Sequence, residues 1–351
     1  MKLTYGLSRH QRVECQYPVT DMLHIHNGDC SAEIARQSSL PGEHFAWREA
    51  LIEGPTPAGT TEHEWRNLRA THLAESYQVD QVETVSELRI QEAKLASHPE
   101  HDEVILWFEH DLFCQTNLLY LLNWFAEREV GNTRLSLICI GEFPGLPKFR
   151  GLGELSPEQM ASLFDIRHEV SSGEKSLAAV AWQAYCSRDP TAIQTLLETD
   201  TSALPFLKPA LQLHLERFPY VSNGLGRIQN RGLELIHDGV RNFADLFPRF
   251  GAAEPTYGLG DAQFWNTLRR MSQAQKPLLN IRNGNSSDPK LTSENPHQLT
   301  FEITEAGEAV LNGKADFVKM NGIDTWFGGV HLLGRTKLWR WDDQAQKLTY
   351  L

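Results

Sequence analysis

The stretch Val104–Ile105–Leu106–Trp107–Phe108–Glu109–His110–Asp111–Leu112–Phe113–Cys114–Gln115 decides how the chain folds. An apolar run of buried-strand length stops abruptly at Glu109, His110 and Asp111. A helix follows to about Arg128, and Leu118, Leu119, Leu121, Leu122, Trp124 and Phe125 make it apolar over most of its circumference, which marks it as buried. Titratable groups at the carboxyl end of a buried strand stand where open α/β folds place their ligands. Side chains alternate along extended backbone, so Glu109 and Asp111 share one direction and His110 takes the other.

The same pattern recurs on both sides of this stretch. Leu23–His24–Ile25–His26 reads as a short strand, followed by Asn27–Gly28–Asp29–Cys30–Ser31 and a helix through Ala32, Ile34 and Ala35. A strand, a glycine turn and a helix start point backbone N–H groups at an anion. One glycine matches neither a dinucleotide fingerprint nor a P-loop. Asp29 or Ser31 reads alternatively as the helix N-cap. His44–Phe45–Ala46–Trp47 is a second short strand, and it runs into Arg48, Glu49 and the loop Gly54–Pro55–Thr56–Pro57. Arg48 and Glu49 are either part of a pocket wall or a surface salt bridge. Residues 61–98 carry helical stripes, with Arg66 and Arg69 one turn apart on a solvated face or reaching into a site.

A further strand, Leu135–Ile140, ends at Gly141–Glu142. Alternation of strands and helices over 22–165 predicts a three-layer α/β sandwich with a mostly parallel sheet. Asp29, Glu109, Asp111 and Glu142 then lie on one edge of it. Residues 166–275 read as a helical region. Residues 276–351 read as a winged-helix-like α+β module, from strands at Leu278–Ile281 and Leu299–Ile303 and a helix entered through Thr304. Its run Trp326–Phe327–Gly328–Gly329–Val330–His331 puts Trp326 and His331 beside glycines that allow close approach to a ligand. Residues 1–21 have no apolar period and read either as an extension upstream of a start at Met22 or as a short ordered arm.

Composition excludes several classes. Of the 351 residues, 41% are hydrophobic and 22% charged, ordinary values for a globular protein. A formal charge of −12 disfavours nucleic acid as the main partner, because phosphate contacts need a basic surface. The five cysteines are scattered without a CxxC pair, which fits neither a disulfide framework nor a zinc ribbon and suits a reducing cytoplasm. No apolar run approaches the roughly 18 residues that span a bilayer.

Several of these motifs resemble a family of bacterial proteins known as "domain of unknown function 1835". The resemblance lies in Leu23–His24–Ile25–His26–Asn27–Gly28–Asp29, in Leu40–Pro41–Gly42 with Trp47–Arg48–Glu49 and Gly54–Pro55, and in Trp107–Phe108–Glu109–His110–Asp111 with Gln115. Asn321–Gly322–Ile323–Asp324 and Gly328–Gly329–Val330–His331–Leu332 are similar to the carboxyl-terminal part of longer members. It implies an α/β amino-terminal domain in a cytosolic bacterial protein and supplies no reaction. Two positions depart from the family pattern: Cys30 stands where serine is expected, and Glu49 where aspartate is.

The chemistry expected is that of an enzyme with a carboxylate-rich site, a metal-dependent hydrolase or phosphotransfer enzyme acting on a phosphorylated or nucleotide-like small molecule. Asp29, Glu109 and Asp111 are the candidate catalytic groups and metal ligands, with Mg²⁺ or Mn²⁺ as the candidate cofactor because carboxylate oxygens suit hard cations. His331 is a fourth catalytic candidate, brought in from the carboxyl-terminal module. Gly28, Cys30, Ser31, Arg48, Glu49, Gln115 and Trp326 are the candidate substrate contacts. Asp111 and Glu109 read alternatively as helix caps, and His24 and His26 as packed histidines. A nucleophile at Cys30 or Ser31 is a further alternative. The other class is a ligand-sensing DNA-binding regulator that uses the helical and winged-helix-like regions.

Overall fold

The computed structural model describes residues 21–283 and 295–351. The extension expected over 1–21 and the polar loop expected over 283–295 fall almost wholly outside them. β1 (Met22–Asn27) turns at Gly28 into α1 (Asp29–Gln37), and β2 (Glu43–Trp47) follows. α2 (Glu62–Tyr77) is entered through a Thr61–Glu64 capping box and packs on α3 (Gln81–Ala96), which Asp80 caps. Next come β3 (Glu103–Glu109), α4 (Leu112–Ala126), β4 (Arg134–Ile140), α5 (Pro157–Ser162) and β5 (His168–Glu169). Ser156 caps α5 and Pro157 takes its first position, where a missing N–H costs nothing.

The sheet runs β2-β1-β3-β4-β5, parallel except for the two-residue edge strand β5. The chain starts in the interior of the sheet, steps out to β2 and returns past β1 to β3. The direction of winding therefore reverses between β1 and β3, and the crevice outside their carboxyl ends is where such sheets bind ligands. Strand alternation produces the three layers. Met22, Ile105 and Trp107 pack on one face with Ala35 of α1 and Met160 of α5. Leu23, Ile25, Val104, Leu106 and Phe108 pack on the other with α4.

Helices α6 (Ser172–Tyr185), α7 (Thr191–Leu197) and α8 (Leu207–Leu215) belong to this same core. A second core begins at Leu225. It contains α9 (Arg227–His237), α10 (Phe243–Ala253), α11 (Asp261–Ser272), the antiparallel pair β6 (Leu279–Asn283) and β7 (Leu299–Ile303), and α12 (Glu305–Leu311). The chain then returns to the first core through α13 (Phe317–Asn321) and two hairpins, β8 (Ile323–Phe327) with β9 (Val330–Gly334), and β10 (Trp339–Asp342) with β11 (Lys347–Tyr350). Val318, Phe327, Val330, Leu332, Trp341 and Leu348 are buried among residues of the sheet, of α4 and of α6–α8.

The cores thus divide the chain at places other than 165 and 275. Residues 276–351 are not one winged-helix-like module, because β6, β7 and α12 bury their apolar faces in the second core, whereas Val318 and the hairpins from Ile323 onward pack on the first. Apolar periodicity locates each of these elements but carries no information about which core receives them.

Candidate acidic site at the sheet edge

Where β3 ends, the first amides of α4 need acceptors. Asp111 supplies one as the N-cap residue, its Oδ1 accepting the Cys114 N–H at 2.8 Å. Glu109 turns to the same side, so the Glu109 and Asp111 carboxylates and Cys114 Sγ all lie within 4.8 Å of one another. Glu109 accepts the Cys114 S–H at 2.9 Å and the backbone N–H of Leu152, from the loop after β4. Asn27, at the end of β1, donates to Cys114 Sγ at 2.7 Å, and Asn117 donates to Asn27 Oδ1 and to Glu49 O at 2.8 Å each. Gln115 donates to Glu109 O at 2.7 Å, so it holds the strand end in place. Backbone closes the site on two sides. A Cβ on Gly151 would meet Glu109 Oε1 at 3.0 Å, and one on Gly258 (φ 67°) would meet Asp111 Oδ1 at 2.1 Å.

Among the described residues, no lysine or arginine ion-pairs with Glu109 or Asp111. Burial therefore raises the pKa of Glu109, and burial together with the Glu109 charge raises that of Asp111. Burial and the two carboxylates also push Cys114 well above the usual thiol range, so it remains a thiol. His110 points away, as alternation requires. Its ring lies edge-on to Phe206 at 6.0 Å, and its Nδ1 is buried without a hydrogen-bond partner.

Asp29 is not part of this group. Arg48 grips its carboxylate through Nε (2.8 and 2.9 Å) and Nη2 (2.7 Å), and these bonds hold Asp29 below the usual carboxylate range. The expected set Asp29–Glu109–Asp111 is therefore not brought together: Glu109 and Asp111 lie beside Cys114, and Asp29 stands apart with Arg48. The N-cap of α1 is Gly28 (φ 96°) with no side-chain bond, so neither Asp29 nor Ser31 caps it. Ser31 instead donates to Gly28 O at 3.3 Å, Cys30 is exposed, and Glu142 is exposed beyond the end of β4.

Arg48 and Glu49, adjacent in sequence, have separate partners. Glu49 is buried and receives Arg69 Nη2 at 2.6 Å and Nε at 3.2 Å. Arg69 also donates to Glu53 O at 2.7 Å and to Ala50 O at 3.0 Å, so it locks the backbone after β2 from within.

The histidines of β1 are packed, not free. Trp107 Nε1–H donates to His24 Nδ1 at 3.0 Å; indole only donates, so His24 carries its proton on Nε2 and donates it to Pro41 O at 2.8 Å. Burial and the neighbouring His44 take His24 down to about 3, so it stays neutral. His26 Nε2 and His44 Nδ1 share a hydrogen bond of 3.1 Å. The three imidazoles have nitrogens within 4.8 Å of one another, but both nitrogens of His24 are already engaged.

His331 and Trp326 lie on the β8–β9 hairpin and bond within it. His331 Nε2 meets Asp324 Oδ1 at 2.7 Å, and its ring stacks on Trp326 at 4.4 Å. Gly328 and Gly329 at the tip are needed for packing. A Cβ there would stand 2.3 and 1.9 Å from the carbonyl oxygens of Tyr185 and Cys186. His331 is therefore held by its own strand pair and not by the acidic site.

Cys114, Asn27, Asn117, Leu152 and Gly258 complete the site without having been singled out from sequence. Only Cys114 left a signal, since three residues after a cap is the position whose N–H the cap receives.

No family model matches the chain, and no curated protein matches it. The family resemblance rests on the quoted motifs alone. Among the described residues, no helix is long and apolar enough to cross a membrane.

Proposed function

We propose that the chain is an enzyme whose Glu109–Asp111 pair, at the crevice between β1 and β3, acts on a phosphorylated or nucleotide-like small molecule. One observation carries this reading: a buried and a half-buried carboxyl group side by side, with no lysine or arginine among the described residues ion-paired to either. Burial and mutual repulsion disfavour ionising both groups at once, which would suit the pair to acid–base work. The donor set also fits Mg²⁺ or Mn²⁺ in the mode where one or two carboxylates hold the ion and substrate phosphate and water complete its shell. Such an ion would polarise a phosphoryl oxygen. The Cys114 thiol, kept protonated, is no ligand for a hard cation. Arg48 lies exposed at the same edge, where Asp29 answers its charge, so a phosphate would compete with that carboxylate for it.

The regulator reading has one supporting observation. The order α9, the Asn242–Thr300 bridge, α10, α11, β6, β7 is that of a winged helix. In that fold the third helix enters the DNA groove. Here α11 docks on the α/β body, Asn266 donating to Ser76 O at 2.9 Å, and only Asp261 and Arg270 of the helix are exposed. A reading face that is already covered leaves the enzyme reading ahead.

A thermal-shift titration with Mg²⁺, Mn²⁺ and nucleotides tests it. The wild-type chain gains melting temperature with Mg²⁺ or Mn²⁺, and Asp111→Asn, which keeps the cap, loses that gain. No response to any of these, together with salt-sensitive retention on DNA, overturns the enzyme in favour of the regulator.

A further inference from the structure

The second core is an insertion in the first. Phe218 is buried in the first core, Leu225 in the second and Val318 in the first again, so the chain crosses between them twice, at Asn223–Gly224 and at Asp316–Phe317. The two crossings touch. Phe317 N–H donates to Asn223 O at 2.8 Å, and a Cβ on Gly224 (φ 78°) would stand 2.5 Å from Asp316 Oδ1. A unit held by two adjacent lengths of chain can turn about them, and hinges consist of a few such connecting residues. Space lies beside this junction. Gly224, Phe317 and Val318 line a cavity of ≈ 290 Å³ together with Phe327 of the first core and Ile228 of α9, and Asn223 lines another of ≈ 500 Å³.

Beyond the crossings, single hydrogen bonds join the two units. Asn266 of α11 donates to Ser76 O at 2.9 Å, the backbone N–H of Arg227 to Glu216 O at 2.9 Å, and the Tyr257 hydroxyl to Leu213 O at 3.3 Å. The apolar part of the seam is small: Tyr257, wholly buried, sits among Ile52, Leu112 and Ala210. Units that meet over such a seam move relative to one another unless a large apolar interface stops them. The residue after Tyr257 is Gly258, and its backbone closes over Asp111, since a Cβ there would stand 2.1 Å from Asp111 Oδ1. Asp111 is 4% exposed, so a small molecule does not reach it while Gly258 is in place.

From this arrangement we propose that the inserted unit, whose described residues run from Leu225 to Asp316 without 284–294, is a lid for the acidic site. It turns on the paired crossings at Gly224 and Phe317, and Tyr257 and Gly258 form the latch that closes over Asp111. This role rests on reading Glu109 and Asp111 as the site of a small molecule, and it supplies the way in. The open state admits the ligand, and the closed state keeps water from Asp111.

Ala210→Cys puts a thiol in the cluster that Tyr257 closes, and Cys186, buried in the first core, is the internal control. Alkylation by iodoacetamide is followed at each cysteine by peptide mass spectrometry, and each rate is divided by that of the same cysteine in the urea-unfolded chain. On this scale the introduced thiol reacts at least about tenfold faster than Cys186, because a lid opens at lower cost than the whole fold. Asn266→Ala removes a seam bond on α11 and leaves the latch intact. It raises the rate at the introduced thiol roughly fivefold, the worth of one hydrogen bond, and leaves Cys186 unchanged. Equal protection of the two thiols overturns the lid. An absent effect of Asn266→Ala also overturns it, since the Tyr257 turn then moves alone. So does an equal effect at both cysteines, since the chain then opens only by unfolding. No metal or nucleotide is present in this experiment, so its outcome is independent of the thermal-shift titration that tests the site itself.

Discussion

Two strand ends at one sheet edge treat buried carboxylates in opposite ways. At the end of β2, Glu49 is met by Arg69, whose remaining donors are taken up by backbone carbonyls around it. At the end of β3, Glu109 and Asp111 are met by each other, a thiol and two backbone amides. The first arrangement is complete within the protein and rigidifies a loop. The second leaves the cost of two buried acids uncompensated, and groups with perturbed acidity in a crevice mark functional sites. Burial alone therefore does not separate the two strand ends; among the described residues, the arginine that meets Glu49 and the lack of one at Glu109 and Asp111 do.

The largest effect should come from breaking the completed pair. Arg69→Met leaves Glu49 buried and unpaired, and such a change costs about 3–5 kcal/mol. Urea unfolding of Arg69→Met, with the Glu49→Gln/Arg69→Met double variant recovering part of the loss, measures it. A change within experimental error would put Glu49 in the same class as Glu109.

A smaller effect, of the opposite sense near neutrality, is expected at the acidic pair. Both acids have folded-state pKa values above their unfolded ones. Their contribution to stability is present in full below about pH 4, where both states are protonated, and is lost as pH rises through the folded values. Glu109→Gln should therefore gain stability relative to wild type as pH rises from about 4 to 7. Both proteins also carry buried neutral histidines, His24, His26 and His214, with lowered values. Their contribution is present above about 6.5 and lost as pH falls. Only the difference between the two melting curves isolates the acids, and a pH-independent difference breaks the comparison.

The smallest effect belongs to Arg48 and Asp29, an exposed pair at the same edge. Arg48→Ala should cost less than about 1 kcal/mol and less still in high salt. A loss as large as that of Arg69→Met would mean that exposure does not rank these pairs.

Much of the α/β half was legible in the sequence, because one apolar run between polar ends has few other solutions. The shared direction of Glu109 and Asp111 followed from alternation, and the capping role of Asp111 from its place before a helix. What was not legible is pairing across the chain. Arg66 and Arg69 sit one turn apart with nothing local to tell them apart, yet Arg66 meets Glu92 on the rim of a cavity and Arg69 reaches the interior. Asp29 lies 19 residues from the arginine that claims it, and the two meet only because β1 and β2 are neighbours. Trp326 and His331 read as ligand contacts because glycines follow a tryptophan there; the same glycines are required by the Tyr185 and Cys186 carbonyls.

The return of residues 318–348 to the first core also sets an order of events during synthesis. The second core takes its last fully buried residue at Val310 and its last partly buried one at Met320. The first lacks Phe327, Val330, Trp341 and Leu348 until the last strand has left the ribosome. The inserted unit can thus be packed while the α/β sheet, made earlier, still has an open apolar side.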